Sequence, residues 1–272
     1  MEVLHKADIG VFGGSGFYSF LSDIEEVNID TPFGETSDSV FIGTIGSHRV
    51  AFMPRHGRDH SLPPHQINYR ANAWAMKKLG CTRVISPCAA GSLQKEIKPG
   101  DFVICDQFVD WTDNRKSTFF EKGSVVQGSA VQHPSAAEIY CPQLRQLAVE
   151  TARDLNIPVH DGGTVVVING PRFSTKAESA FFTRQGWQVI NMTAFPEAYL
   201  AKELNMCPLN ISLITDYDAG LVGDVAPVSH EDVLKVFNSN IEKLKSLLFK
   251  MVERIPLQER SCNCANTTQL NF

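Results

Sequence analysis

The chain has 272 residues, 43% of them hydrophobic and 20% charged, with a formal net charge of −5. That length suits one large α/β domain or two small ones, the hydrophobic share is enough for a full core, and the mild acidity leaves no basic footprint for nucleic acid. The N-terminal MEVLHKADIGVFGGSG has no long apolar segment with a small-residue cleavage site, and no apolar run approaches the ~18 residues of a membrane span, so a soluble, cytoplasmic protein with no membrane partner is expected.

Residues 7–12 read as a short buried strand that runs into Gly13-Gly14-Ser15-Gly16, a turn whose exposed N–H groups favour an anion. Ser19 stands where a dinucleotide fingerprint needs a third glycine, and no Gly-Lys-Ser/Thr follows, which argues against a dinucleotide or ATP site. Residues 40–46 and 49–53 form an expected hairpin around Gly46-Ser47, whose second strand ends at PRHGRDH, Pro54 to His60. The planar fork of Arg55 suits phosphate or carboxylate. His56 and His60 are four apart, but Gly57 replaces the glutamate of a zinc-protease helix and the segment is loop-like, so no metal is expected. Residues 63–79 have helical spacing closed by Gly80, and 83–87 are a strand ending in the small residues Cys88-Ala89-Ala90-Gly91-Ser92. A further strand is expected at 102–108.

Periodicity fades from 111 to 140, a stretch that contains His133 and whose length marks it as functional, disordered or used between subunits. A helix follows at 141–155 and an apolar strand at 162–168, ending at Asn169-Gly170-Pro171-Arg172-Phe173-Ser174. Thr175 or Ser174 can cap the next helix, with Glu178 in its first turn. Residues 187–191, 197–204 and 209–215 read as strand, helix and strand, with Pro196 tolerated in the helix's first turn and Pro208 breaking the pattern between helix and strand. Such a unit places both strand ends at one edge of the sheet, where open α/β folds hold ligands. Those ends carry Met192-Thr193 and Asp216-Tyr217-Asp218, and paired carboxylates there cost folding energy and suit chemistry. Ser229 caps the last helix, 233–254. The economical reading is one α/β domain, 7–255, followed by a polar, mobile tail, 256–272.

The seven cysteines (81, 88, 105, 141, 207, 262 and 264) are odd in number, scattered and without CxxC pairs, so they read as buried thiols rather than a disulfide scaffold. Cys262-Asn-Cys264 stands apart, as either a strained adjacent disulfide or a redox handle.

Four ordered motifs, GGSG, PRHGRDH, GPRFSTKAES and NMTAFPEAYLAKE followed by TDYD, together resemble the 5′-methylthioadenosine phosphorylases, within the trimeric branch of the purine nucleoside phosphorylases. The resemblance spans nearly the whole chain and implies a mixed β-sheet curled toward a barrel and flanked by helices. It implies phosphorolysis of a purine–ribose bond with inorganic phosphate as co-substrate and no resident cofactor. Ser15, Arg55, His56, Cys88, Ala89 and Thr193 match its phosphate-holding positions, with Ser15 and Cys88 standing where threonine is common. Met192 matches the residue beneath the ribose, and Phe173 and Ser174 line the base pocket. Asp216 and Asp218, with Tyr217 between them, match the base-recognition pair, Asp218 taken as the acid and Asp216 as its partner. His133 matches a residue supplied by the neighbouring subunit at the sugar's 5′ end, which implies a trimer or a dimer of trimers, and Ser229 lies near the same end. The alternatives are a 6-oxopurine nucleoside phosphorylase or a non-catalytic nucleoside-binding protein on the same fold.

Overall fold

In the computed structural model, which describes residues 6–13, 22–121, 132–219, 228–257 and 260–269, the apolar strands near the N-terminus divide their side chains between two helical layers. The elements in chain order are β1 (Ile9–Gly13), β2 (Ser22–Val27), β3 (Val40–Ile45), β4 (His48–Pro54), α1 (Tyr69–Lys78), β5 (Arg83–Ser92), β6 (Phe102–Ile104), β7 (Gln107–Trp111), α2 (Pro142–Asp154), β8 (Val159–Asp161), β9 (Thr164–Ile168), α3 (Lys176–Arg184), β10 (Val189–Asn191), α4 (Ala194–Glu203), β11 (Cys207–Asp216) and α5 (His230–Arg254). Ile9 and Val11 of β1, with Val50 and Phe52 of β4, enter a core closed by α2 and α5. Their neighbours Phe12, Ala51 and Met53 enter a second core closed by α1 and α4. A period of two with both faces apolar is what a parallel sheet covered on both sides requires. Among the described residues no helix is long and apolar enough to cross a membrane.

β5 is the hub of one mixed sheet. One of its edges is shared by β1, parallel from Ile9↔Arg83, and further along by β10, antiparallel at Ile190↔Gly91, so β10 and β11 run in opposite directions along β5 rather than as the parallel pair expected of a strand–helix–strand unit. Its other edge pairs in parallel with β11 from Cys207↔Arg83 to Asp216↔Gly91. The main path runs β2-β3-β4-β1-β5-β10-β9-β7, and β11, β6 and β8 form a second arm, so the sheet branches without closing. The mixed α/β architecture expected from the sequence is therefore present.

Several boundaries differ from expectation for local reasons. Pro208 lies inside β11 rather than before it, because β6 pairs only with residues 211–213, so no partner on that side asks for the missing N–H at Pro208. Its carbonyl accepts from Cys141 N–H at 2.9 Å. The strand expected at 102–108 is split into β6 and β7 around Asp106, whose carboxylate accepts from Gly163 N–H at 3.0 Å. Phe195 is extended inside the first turn of α4, as the residue before a proline tends to be. The tail is not loose where it is described: Thr268 Oγ1 donates to Glu203 O (2.8 Å), Arg260 donates to Asn205 O (2.9 Å), and Cys264 is buried.

Candidate active site

The chain after β4 is held against the end of β1 by Arg55 N–H donating to the Gly13 carbonyl at 3.1 Å. The Arg55 side chain then turns inward and is 3% exposed. Nε and Nη2 donate to the two oxygens of Glu197 on α4, at 3.0 Å each, Nη1 donates to the Pro87 carbonyl of β5 at 2.9 Å, and Nη2 also donates to the Phe12 carbonyl at 2.6 Å. Four of the five guanidinium N–H groups are thus engaged, leaving one on Nη1. Burial opposes the charge on Arg55, and Glu197 more than offsets it, so the guanidinium stays ionised. This single side chain ties β1, β5 and α4 together.

The other expected anion-binding groups gather around that knot. Thr193 is buried immediately before α4 and makes no side-chain capping bond, at a helix N-terminus that favours negative charge. Cys88 Sγ accepts from Asn191 Nδ2 at 3.2 Å and from Asn210 Nδ2 at 3.4 Å, one residue beyond the Pro87 carbonyl that Arg55 holds. Ala89 follows it on β5 and is half-buried. His56 stacks on His60, with ring centroids 4.6 Å apart, and its Nδ1 lies 2.8 Å from the Leu62 carbonyl. A carbonyl only accepts, so Nδ1 carries the hydrogen. Burial first, then the Arg55 charge, lowers the His56 pKa to about 4. The ring is neutral at physiological pH and offers Nε2 as an acceptor. Ser15 and its glycine turn lie outside the described residues.

The carboxylate pair sits at the end of β11, where the register against β5 slips between Ile214 and Asp216. Gly91 makes this possible: a Cβ there would lie 2.9 Å from Asp216 Oδ1 and 3.3 Å from Asp218 Cα. Both Asp216 oxygens are engaged, Oδ1 by Asp218 N–H at 2.7 Å and Oδ2 by the Thr215 hydroxyl at 2.6 Å. Asp218 is 3% exposed, and its backbone is in the left-handed region at φ +48°. Burial raises the pKa of both carboxyls. The Ser179 and Ser174 hydroxyls lie close enough to hold Asp218 partly down, yet Asp218 Oδ2 and Ser174 Oγ are both buried without a formed hydrogen bond. An open oxygen on a buried acid is a position from which a proton can be given.

Of the remaining expected residues, Met192 packs over Gly170, where a Cβ would approach its sulfur to 2.7 Å and Pro64 to 3.2 Å. Tyr217 is half-buried and Phe173 is 39% exposed. Ser229 is the exposed N-cap of α5, accepting from Asp232 N–H at 3.2 Å. It lies one residue from Val228, whose N–H donates to the Asp218 carbonyl at 3.2 Å. His133 is exposed, and among the described residues no hydrogen bond joins it to the others. Pro87, held by Arg55, and Gly91, packed on Asp216, are four residues apart on β5, about 13 Å at the strand's rise per residue. The Arg55 guanidinium and the acids thus meet β5 at neighbouring points along its length. A groove of about 520 Å³ along residues 28–39 shares no residue with this set, and its Asp30, Glu35 and Asp38 would repel an anion.

Sequence reasoning missed Glu197, Gly91, Thr215, Asn191 and Asn210. Glu197 left a trace, as an acid inside the otherwise apolar AFPEAYLA, and so did Asn210 and Ser212 within the buried β11; each is a polar residue where the pattern asks for an apolar one.

Residues 8–253 match the model of the family described as the phosphorylase superfamily. The chain is 50% identical over 262 residues to a purine nucleoside phosphorylase of Streptomyces coelicolor, covering 95% of this chain and 93% of that one. It is 49% identical over 264 residues to an S-methyl-5′-thioadenosine phosphorylase of Pyrococcus horikoshii, covering 97% and 98%. A methylthioadenosine phosphorylase of Schistosoma mansoni, solved in complex with adenine, superposes with a TM-score of 0.85 at 36% identity, covering 91% of each chain. With the family model spanning residues 8–253 and relatives of about half identity over nearly its whole length, the chain belongs to the phosphorylase superfamily.

Proposed function

We propose that this protein cleaves the N-glycosidic bond of 5′-methylthioadenosine with inorganic phosphate, giving adenine and 5-methylthioribose 1-phosphate. The observation that carries the reading is the buried acid pair at the end of β11, one oxygen of which is uncommitted. Asp218, whose pKa burial raises, is the acid that donates to purine N7. The C1′–N9 bond breaks with its electrons passing to the base, and a phosphate oxygen bonds to C1′. The phosphate's own proton is released and restores the acid through solvent. Asp216, fixed by Thr215 and Asp218 N–H, keeps lone pairs free to accept from the exocyclic amine of adenine. A 6-oxopurine presents an acceptor there and is disfavoured.

Phosphate lies among Ser15, the remaining Arg55 N–H, Thr193 and the Cys88-Ala89 strand, with His56 Nε2 accepting from a protonated phosphate oxygen. Met192 packs against the sugar, and Phe173, Ser174 and Tyr217 bound the base. His133 of a second copy and Ser229 close the 5′ end, so the working form is an oligomer. The Streptomyces relative favours one second reading, a broader purine nucleoside phosphorylase. Methylthioadenosine, adenosine and inosine are to be incubated separately with the enzyme, with and without phosphate, and the free base followed. Adenine release that requires phosphate, with inosine at least about tenfold poorer by the amine contact, is the expected result. Base release independent of phosphate, or inosine the faster substrate, overturns the reading.

A further inference from the structure

Four cysteines that the chemistry above does not use converge at the opposite end of β11. Cys207 is the strand's first residue, Cys141 is the N-cap of α2, and Cys262 and Cys264 come from the tail. Their four sulfurs all lie within 4.8 Å of one another, with Cys207 and Cys262 at 3.5 Å. Three of them are buried, and Cys262 is half-exposed, which leaves an approach from solvent. We propose that Cys141, Cys207, Cys262 and Cys264 form a structural tetrathiolate site for a zinc ion that clasps the C-terminal tail to the base of the sheet.

A zinc ion bound at about 2.3 Å by four thiolates sets its sulfurs roughly 3.8 Å apart, inside the spread found here. Two disulfides would ask only that the sulfurs approach in pairs, at about 2.05 Å, with no need for all four to meet. A single ion needs the four-way meeting. The cage is also positioned before any ion enters. Cys141 N–H donates to the Pro208 carbonyl, joining two of the supporting segments, and Thr268 N–H donates to Asn205 Oδ1 at 2.9 Å, anchoring the tail.

Lys202 gives a second, independent pointer. Its side chain is buried on α4, with Nζ 2.8 Å from the Glu138 carbonyl and 3.6 Å from Cys264 Sγ. Among the described residues no carboxylate pairs with it, and a buried ammonium needs negative charge nearby. A zinc tetrathiolate carries a net charge of −2, and Lys202 then acts as the N–H donor that commonly supports metal-bound sulfur. Binding is not a redox step: one Zn²⁺ replaces four thiol protons, which pass to solvent. Cys207 precedes Asp216 by nine residues, about 30 Å of strand, so the clasp is separate from the chemistry.

The whole chain, purified without chelator from zinc-containing medium, is to be measured for zinc by mass spectrometry of the element, with thiols mapped by alkylation in denaturant without reductant. The expected result is one zinc per chain, retained in Cys81→Ala and lost in Cys262→Ser and in Cys264→Ser. Cobalt exchanged into the wild type should give the visible bands of a tetrahedral tetrathiolate. Both serine variants should melt at lower temperature while their base-release rate stays within about twofold of wild type, because the site lies far from the acids. Zinc below about a tenth of an equivalent overturns the proposal, whether mapping then finds four free thiols or disulfides among these cysteines. Zinc retained by both serine variants also overturns it.

Discussion

Two buried charged groups stand about four residues apart along β5, and the chain treats them in opposite ways. The Arg55–Glu197 pair is almost fully accounted for: its charges cancel, and its further hydrogen bonds run to β1 and β5, leaving one N–H on Nη1. The Asp216–Asp218 pair brings two like groups together in a buried place and leaves one oxygen without a partner. The first arrangement holds strands in place. The second holds two carboxyls whose pKa burial raises in a place a folded protein would otherwise avoid. The difference teaches that the arginine which looked most like an anion ligand is first a scaffold, and that the acid pair is where hydrogen bonding is left incomplete.

The contrast can be broken most severely at the satisfied pair. Glu197→Gln keeps the shape but leaves the Arg55 guanidinium buried beside a neutral amide. We expect a loss of about 3–5 kcal/mol in unfolding free energy, measured by denaturant titration, with most of it recovered when both partners become methionine. A loss below about 1 kcal/mol would place the pair among the weak surface bridges instead. His56→Gln has a smaller effect confined to a pH window. The folded pKa of about 4 lies below the ordinary 6.5, so between those values the unfolded chain binds the extra proton. Wild-type stability should therefore rise with pH from about 4 to 6.5 and level off above, and the variant should lose that slope. The smallest effect is at Ser174→Ala. Its hydroxyl lies beside the Asp218 carboxyl without a formed hydrogen bond and holds it only partly down, so removal should raise that pKa a little further and move the alkaline limb of the activity profile to higher pH, with little change in melting temperature. A limb that stays in place would separate Ser174 from the acid.

Much of the fold was legible because period-two apolar strands and capped helices are local signals. Of the two caps the residues allowed for α3, Thr175 forms the capping box with Glu178, and Ser229 caps α5, which starts three residues earlier than expected. Pro208 was misread because a proline is tolerated in a strand wherever no neighbour needs its N–H, and that depends on β6, which is remote in sequence. The tail was misread as mobile because its composition is polar, whereas its anchors, Glu203 and Asn205, lie over fifty residues away. The site was legible as residue types at strand ends. What was not legible was Glu197 claiming the Arg55 fork, or Gly91 leaving space for two acids, since both depend on contacts across the sheet.

The most direct test of a stored acid is Asp218→Asn, measured for turnover and thermal unfolding on the same preparation. The raised pKa means the folded state takes its proton before the unfolded one. That stability is complete below the ordinary value of 3.8 and is lost as pH rises through the raised one. The account predicts that base release falls by at least about 10²-fold while the melting temperature at neutral pH is unchanged or raised, any gain fading toward pH 3.8. A variant that melts earlier at neutral pH, or that turns over at the wild-type rate, would contradict it.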